Sequence, residues 1–184
     1  GVTLHRKRVT IIGGGGIATE LIRILGPFNC EITIVRRSND DVVGATKTVT
    51  FEDLRGVLPS TDALIVAAAL TDETRGLIGV TELSLMPQGA FVVNVARGPI
   101  LDSSAVVDAL RSGQLGGAAL DVTDPEPLPD GHALWRSPNI LITPHQADTP
   151  EMTRPLLAER IAQNVQAFIG SREFVGVVDG TLGY

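Results

Sequence analysis

The chain has 184 residues, 43% of them hydrophobic, and a formal net charge of −6 at pH 7. This length is enough for one domain with a sizeable core, and the acidic balance argues against a nucleic-acid partner or a membrane surface, which need a basic face. The single cysteine, Cys30, excludes an internal disulfide. No apolar run could span a bilayer and the first residues lack the apolar core of a signal peptide, so we expect a cytoplasmic location.

Short β-rich runs alternate with helical patterns along the chain. In order, the pattern predicts strand 8–12, helix 17–25, strand 32–35, helix 51–58, strand 63–66, helical turn 81–85, strand 90–94, helix 102–110, strands 117–121 and 140–142, and helix 151–169. This alternation predicts an α/β protein with a Rossmann-type, doubly wound parallel sheet and helices on both faces. In such sheets, ligands bind at the carboxyl ends of the strands.

The first predicted strand runs into four glycines, in the stretch IIGGGGIA. A G-x-G-x-x-[GA] dinucleotide motif fits in two registers, one starting at Gly13 and the other one residue later. The third motif position packs where the helix meets the strand and requires a small side chain. Ala18 meets this requirement and Thr19 does not. We therefore choose the register Gly13, Gly15 and Ala18.

The N–H groups near Gly16 and Ile17 belong to a helix N-terminus, which attracts anions such as a pyrophosphate. A plain glycine turn is the simpler interpretation of a lone motif. The strand before it, the helix after it and the next strand favour a dinucleotide site. The motif alone leaves a methyltransferase loop open.

The second strand ends in VRRSND, where a fold that prefers NAD usually carries an acidic residue for the ribose 2′-hydroxyl. This chain has Arg36, Arg37 and Ser38 there instead. A guanidinium can form charge-assisted hydrogen bonds with a 2′-phosphate. We therefore predict NADP as the cofactor, with NAD also accepted. The alternative is a pair of solvated surface arginines.

Three polar residues follow three successive predicted strands. Arg97 stands in VNVARGPI, Glu126 in LDVTDPEPLP and His145 in LITPHQAD. Each alone is weak evidence, since single surface charges are usually solvated and a lone histidine is usually structural. Their shared position at the expected ligand-binding edge makes them candidate catalytic residues.

On these segments, the sequence strongly resembles the D-isomer-specific 2-hydroxyacid dehydrogenases. The matching pieces run in family order over nearly the whole chain: IIGGGGIA, LTDETRGLIG, MPQGAFVVNVARGPILD, GGAALDVTDPEPLPDGHALW and NILITPHQADTPEM. The resemblance implies an oxidoreductase that transfers a hydride between a nicotinamide cofactor and a small 2-oxo or 2-hydroxy acid. Within the family, Arg36 together with ARGP and DPEPLP looks most like glyoxylate or hydroxypyruvate reductases.

The resemblance also implies roles for individual residues. Arg97 matches the arginine that grips the substrate carboxylate and polarises its carbonyl. His145 matches the general acid that protonates the forming alkoxide, and Glu126 matches the carboxylate that orients this histidine. Asp121 matches the residue that holds the nicotinamide carboxamide. Four further residues match positions that line the cofactor: Gly16, Ile17, Ala68 and Ala96. Arg97 and His145 are also counted among the residues that contact it.

Family members carry a second, catalytic domain, built largely from an N-terminal segment that this sequence lacks. We therefore interpret residues 1–170 as the dinucleotide-binding domain and 171–184 as a tail that docks on the missing domain. The tail would otherwise leave five apolar residues uncovered: Phe174, Val175, Val177, Val178 and Leu182. A flexible tail is the alternative. Alone, the chain is expected to bind cofactor but to be a poor catalyst, because substrate closure needs both domains. Relatives are commonly homodimers.

A second function stays open at this point, since some relatives act as NAD(P)-sensing co-repressors on the same fold. A formate dehydrogenase is set aside, because that branch has glutamine at the position of Glu126. No metal site is predicted, because the three histidines and one cysteine lack ligand spacing. Trp135 is interpreted as a packing anchor rather than a ligand contact.

Overall fold

A computed structural model describes residues 2–180 and contains one seven-stranded parallel sheet. The strands are β1 Arg8–Ile12, β2 Glu31–Val35, β3 Lys47–Val49, β4 Ala63–Val66, β5 Ala90–Asn94, β6 Leu115–Leu120 and β7 Ile140–Ile142. Their order across the sheet is β3-β2-β1-β4-β5-β6-β7. The chain winds outward in both directions from β1, so the predicted Rossmann-type fold is confirmed, with its topological switch point between β1 and β4.

Five α-helices accompany the strands. They are α1 Gly16–Leu25, α2 Leu54–Val57, α3 Val80–Leu85, α4 Ser103–Ser112 and α5 Pro150–Ile169. The helix predicted at 51–58 is divided, because α2 is flanked by the 3-10 turns Phe51–Asp53 and Leu58–Ser60. Helix α4 begins where the Asp102 carboxylate accepts hydrogen bonds from two backbone N–H groups, and it ends at Gly113 in the left-handed conformation.

Strand β3 is missing from the sequence-based prediction. It has only three residues, which pair with the last three residues of β2. Lys47 is opposite Thr33, and Val49 is opposite Val35. A run this short, beginning with a lysine and a threonine, carries no hydrophobic alternation that could identify it. The pairing with β2 is what makes it a strand.

The two faces of the sheet carry separate apolar clusters, as expected for a buried parallel sheet. Leu54, Leu83 and Leu110, from α2, α3 and α4, pack in the larger cluster on one face. Ala18 and Leu25 of α1 pack in the smaller cluster on the other face, against β1 and β2. Helix α1 is thereby fixed directly after β1, and its N-terminus lies at the carboxyl edge of the sheet.

The pairing of β5 with β6 contains one irregularity. Ala90 is opposite Leu115, whereas Phe91 is opposite Gly117, so Gly116 is an extra residue on β6. A Cβ at Gly116 would press against the carbonyl oxygen of Gly89. This bulge therefore favours glycine at the position where it occurs.

An ion pair connects β1 and β4 at the amino edge of the sheet. The guanidinium of Arg8 donates two hydrogen bonds to the Asp62 carboxylate, at 2.8 and 3.0 Å, and its backbone N–H donates a third. Hydrogen bonding to Arg8 outweighs partial burial and lowers the pKa of Asp62 to about 2. The same pair raises the pKa of Arg8.

Contacts within the chain define two compact units, Gly1–His145 and Gln146–Tyr184. The first contains the whole sheet and helices α1 to α4. The predicted domain boundary at residue 170 lies further along the chain and stays a prediction.

The second unit contains α5 and the start of the tail. Six apolar side chains of α5 are 48 to 77% exposed: Leu156, Leu157, Ile161, Val165, Phe168 and Ile169. The Asn164 side chain binds both the N–H and the C=O of Val175, at 2.8 and 3.1 Å. Up to Val175 the tail is therefore tied to α5, while Leu182 lies outside the described residues.

Candidate cofactor and substrate site

The turn after β1 requires glycine at its first position. Gly13 has φ +108°, and a Cβ there would lie 2.6 Å from the carbonyl oxygen of Ala67 and 2.9 Å from the nitrogen of Ala68. Its N–H donates to Val35 at 2.8 Å. The loop therefore packs tightly against the end of β4, where Ala68 is half-buried beside it.

The next glycines face open space instead. A Cβ at Gly15 or Gly16 would meet nothing within 4 Å, and α1 begins at Gly16 without a side-chain cap. Ala18 is fully buried against the sheet, whereas Ile17 and Thr19 are exposed. This arrangement leaves uncapped N–H groups at a helix N-terminus beside an open approach, which fits the pyrophosphate of a dinucleotide.

The three residues after β2 differ in what their side chains contact. Arg36 lies against the glycine loop, since a Cβ at Gly14 would be 3.0 Å from its Cδ. In the described part of the chain, no hydrogen bond or ion pair involves the Arg36 guanidinium. Arg37 pairs through Nε with Glu73 at 3.1 Å. The hydroxyl of Ser38 donates to Asp40 at 2.8 Å.

The loop after β5 is held by a buried amide. Asn94 is 1% exposed; its Nδ2 donates to the carbonyl of Arg97, and its Oδ1 accepts from the N–H of Ala96, at 3.1 and 3.0 Å. The exposed Arg97 side chain turns back on its own loop and donates to the Ala96 carbonyl at 2.6 Å. Sequence reasoning missed Asn94, although a polar residue at a buried strand position is a signal that could have identified it.

The residue after Arg97 is equally constrained. A Cβ at Gly98 would overlap the backbone of Thr123, in the loop that follows β6. Only glycine allows the loops after β5 and β6 to approach this closely. Neither Gly98 nor Thr123 was among the predicted site residues, because the contact joins segments that are distant in sequence.

Asp121 directly follows β6 and is buried. Its backbone N–H donates to Asn94 at 2.9 Å, and its carbonyl accepts the N–H of His145 at 2.8 Å. Its Oδ1 accepts a hydrogen bond from Thr143, which sequence reasoning also missed. Asp121 thus connects the ends of β5, β6 and β7, and Thr143 fixes the orientation of its carboxylate.

Glu126 and His145 lie in direct contact. Oε1 of Glu126 is 2.6 Å from Nδ1 of His145, and both side chains are only partly exposed, at 40 and 44%. The second carboxylate oxygen accepts a long hydrogen bond, 3.4 Å, from the N–H of Thr123. Because the carboxylate engages Nδ1, the imidazole Nε2 is the nitrogen left for a substrate.

His145 has φ +53°, a left-handed conformation that is uncommon for a side-chain-bearing residue. Its backbone hydrogen bond to Asp121 helps to hold that conformation. Strained backbone of this kind concentrates at functional sites.

Thus the structure places all the predicted site residues at the carboxyl edge of the sheet and joins two of the three catalytic candidates. Arg97 makes no side-chain hydrogen bond to Glu126 or His145 among residues 2–180. In the same residues there is no group of three or more side chains that could hold a metal ion. None of the described helices is long and apolar enough to cross a membrane.

Comparison with known proteins assigns the chain to a family. Residues 1–147 match the family model of the D-isomer specific 2-hydroxyacid dehydrogenase, NAD binding domain. The chain belongs to this family.

Individual relatives agree with this assignment. A glyoxylate reductase of Aeropyrum pernix is 38% identical over 168 residues, which are 91% of this chain and 50% of that protein. A D-isomer specific 2-hydroxyacid dehydrogenase of Xanthobacter autotrophicus Py2, solved with NADPH and MES, is 34% identical with a TM-score of 0.89, over 97% of this chain and 56% of that one. Formate dehydrogenases are also among the relatives.

An NADPH-dependent glyoxylate/hydroxypyruvate reductase of Sinorhizobium meliloti, solved with NADP and sulfate, is 28% identical with a TM-score of 0.88. The match includes 57% of that protein and 97% of this chain. The chain therefore spans about half the length of the three relatives described here.

Proposed function

We propose that this chain is the cofactor-binding half of an oxidoreductase that interconverts small 2-oxo and 2-hydroxy acids with NADP(H). The observation that carries the proposal is the 2.6 Å contact between Glu126 and His145 at the ligand-binding edge of a dinucleotide fold. A histidine held by a carboxylate is suited to acid–base work near neutral pH. Family membership supports the same reaction class.

The cofactor would be held by the open glycine loop and by the strand ends beside it. Gly13 makes the tight turn, Gly15 would let the backbone approach the pyrophosphate, and the N–H groups of Gly16 and Ile17 would face it at the start of α1. Ala68 and Ala96 would line the site, and the carboxylate of Asp121 would hold the carboxamide. When bound, a nicotinamide cofactor supplies or accepts the hydride.

The substrate would be handled by three side chains of this chain. Arg97 binds the carboxylate of the 2-oxo acid with two parallel hydrogen bonds, since a guanidinium is planar and stays charged. His145 transfers a proton from Nε2 to the substrate oxygen during reduction and accepts it back during oxidation. Glu126 holds Nδ1, which fixes the ring so that Nε2 faces the substrate.

The preference for NADP over NAD is supported by the charge at the end of β2. The Arg36 guanidinium beside the glycine loop is available for a 2′-phosphate, and Arg37 and Ser38 are its neighbours. Two relatives of known structure were solved with NADPH or NADP. The measurement that tests the preference is the Michaelis constant for NADPH against that for NADH. Equal or better use of NADH would refute it.

The substrate class that we propose is glyoxylate-like or hydroxypyruvate-like, by analogy with the relatives named above. Between 43 and 50% of the length of those relatives lies outside the match with this chain, and we propose that an equivalent portion supplies the rest of the substrate pocket. The apolar tail beyond residue 170, including Phe174 and Val177, would dock there. The homodimer and the cytoplasmic location stay predictions.

The decisive test of the proposed function is His145→Ala in the two-domain enzyme that the proposal predicts. Turnover of glyoxylate and hydroxypyruvate should fall by about 10²- to 10⁴-fold, the range for losing a proton-transfer group. The dissociation constant for NADPH should change little. Near-normal turnover of the variant would refute the role of His145. A wild-type protein that binds NADPH tightly without any turnover would favour the nucleotide-sensing alternative.

A further inference from the structure

An ion pair joins the two loops on either side of the glycine loop. Arg37 lies two residues after β2, and Glu73 lies in the turn that follows β4; their Nε and Oε2 atoms are 3.1 Å apart. In the sheet, β1 runs between β2 and β4. Since neighbouring strands are about 4.8 Å apart, this pair reaches across about 10 Å at the end of β1. The glycine loop begins at the same end of β1.

The two arginines after β2 are therefore not equivalent. Arg36 has an uncompensated guanidinium against Gly14, whereas the charge of Arg37 is balanced by the Glu73 carboxylate. The Arg37 and Glu73 side chains are 37 and 56% exposed. Exposed pairs of this kind are weak and can exchange partners with a competing anion.

We infer that Glu73 is a specificity-determining residue of the cofactor site: by pairing with Arg37, it weakens recognition of a 2′-phosphate relative to a 2′-hydroxyl. This inference rests on the proposed NADP(H) function. It goes beyond that function because it identifies a residue on a different loop, after β4, that opposes the arginines.

Two binding modes are conceivable, and in both of them electrostatics predicts that Glu73 lowers the affinity for a 2′-phosphate. If Arg37 leaves Glu73 for a 2′-phosphate, the ion pair must break first. If the guanidinium serves both groups, the Glu73 carboxylate lies near a second anion and repels it. Replacing the carboxylate with the isosteric amide removes both penalties, so the affinity for a 2′-phosphate must rise. A 2′-hydroxyl carries no charge, and its recognition should change little.

The test is Glu73→Gln in the 184-residue chain, with 2′,5′-ADP and 5′-AMP as probes in calorimetric titrations. These probes differ only by the 2′-phosphate and need no turnover. The dissociation constant for 2′,5′-ADP should fall about twofold to fivefold, the range expected for releasing an exposed ion pair. The constant for 5′-AMP should stay within about 1.5-fold, and the midpoint of thermal unfolding should not change.

Two further variants make the test specific. Glu20 and Arg23 form another exposed pair through the same atoms, at 2.8 Å, on the surface of α1. Glu20→Gln makes the same change in net charge and should leave the ratio of the two constants unchanged. In an Arg37→Gln background, Glu73→Gln should lose its effect, because the inference requires Glu73 to act through Arg37.

An unchanged or higher constant for 2′,5′-ADP in Glu73→Gln would overturn the inference. So would an equal gain for 5′-AMP, an equal effect of Glu20→Gln, or an effect that persists without Arg37. Failure of the proposed NADP preference has a different signature. In that case the wild-type chain does not favour 2′,5′-ADP and Arg36→Gln changes nothing, while the ratio measured for Glu73→Gln still decides the inference.

Discussion

Glu126 holds His145 by the ring nitrogen that is nearer to the main chain, although the two residues are 19 positions apart. The backbone N–H of the same histidine is bound by Asp121. His145 is therefore fixed both at its main chain and at its ring, which leaves its outer nitrogen to act on a substrate. The orientation of the ring is therefore set by contacts within the chain itself.

Glu126→Gln should lower turnover by about 10- to 100-fold, less than the loss expected on removing the histidine itself. The amide can still hydrogen-bond to Nδ1, but it carries no charge opposite the imidazolium that forms during oxidation of the 2-hydroxy acid. The measurement is kcat in both directions, with the dissociation constant for NADPH as a control that should not move. Full activity of this variant would show that Glu126 does not assist the histidine.

Gly13→Ala and Gly15→Ala should separate the stability of the glycine loop from its binding role. At Gly13 the positive φ and the contact with Ala67 should lower the free energy of unfolding by about 1 to 3 kcal/mol. At Gly15 the added methyl group meets open space, so stability should change by less than about 0.5 kcal/mol, while NADPH binding weakens at least tenfold. Denaturant unfolding and fluorescence titration of both variants provide the test. Normal NADPH binding by Gly15→Ala would place the pyrophosphate elsewhere.

Asn94→Ala should affect the loop that carries Arg97. The change leaves the Ala96 N–H and the Arg97 carbonyl without their partner, at about 1 to 3 kcal/mol for each buried group. We expect a lower free energy of unfolding and a higher KM for the 2-oxo acid, with a smaller change in NADPH affinity. Asn94→Asp keeps the acceptor for Ala96 but loses the donor to Arg97, so its KM should lie between those of the wild type and Asn94→Ala. Equal changes in KM and NADPH affinity would contradict a specific effect on Arg97.

Asp62→Asn should make the protein less stable at neutral pH but not in strong acid. The pKa of Asp62 is lowered to about 2 from 3.8, so its contribution is fully present above pH 3.8 and is lost as the pH falls through about 2. With allowance for solvent screening at the half-exposed Arg8, the loss at pH 7 should be about 1 to 2 kcal/mol. Urea unfolding of both proteins from pH 7 to pH 2 should show the two curves converge. A constant difference across this range would rule out the ion pair as its source.

The fold could be predicted from the sequence because most of its signals are local. Strands such as Ala63–Val66 are continuous apolar runs, and the glycine motif, helix and second strand occur in family order. Strand β3 could not be predicted, because three residues form a strand only through pairing with β2. The helix α5 itself could be predicted from its sequence, but the spacing of its six apolar residues does not determine which surface covers them.

The site could be predicted only for residues that lie in recognisable motifs. Arg97, Glu126 and His145 were found through such segments. Thr143 and Asn94 were not, because each acts through a hydrogen bond whose importance depends on the folded loops. Glu73 stands in a matching segment, yet its pairing with Arg37, 36 positions away, cannot be read from either segment alone.

The extra residue Gly116 lies near the start of β6, yet it determines how the ends of β5 and β6 align at the ligand-binding edge of the sheet. If Gly116 stayed in the chain but the bulge were lost, the pairing of Ala90 with Leu115 would continue unshifted, and Asn94 would stand opposite Ala119 instead of Leu120. A slip of one residue also sends each side chain to the other face of a strand. The backbone hydrogen bond from Asp121 to Asn94 would then be lost. A substitution that removes the bulge at Gly116, five residues before Asp121, would therefore misalign the ends of β5 and β6 while leaving every side chain of the site in the sequence.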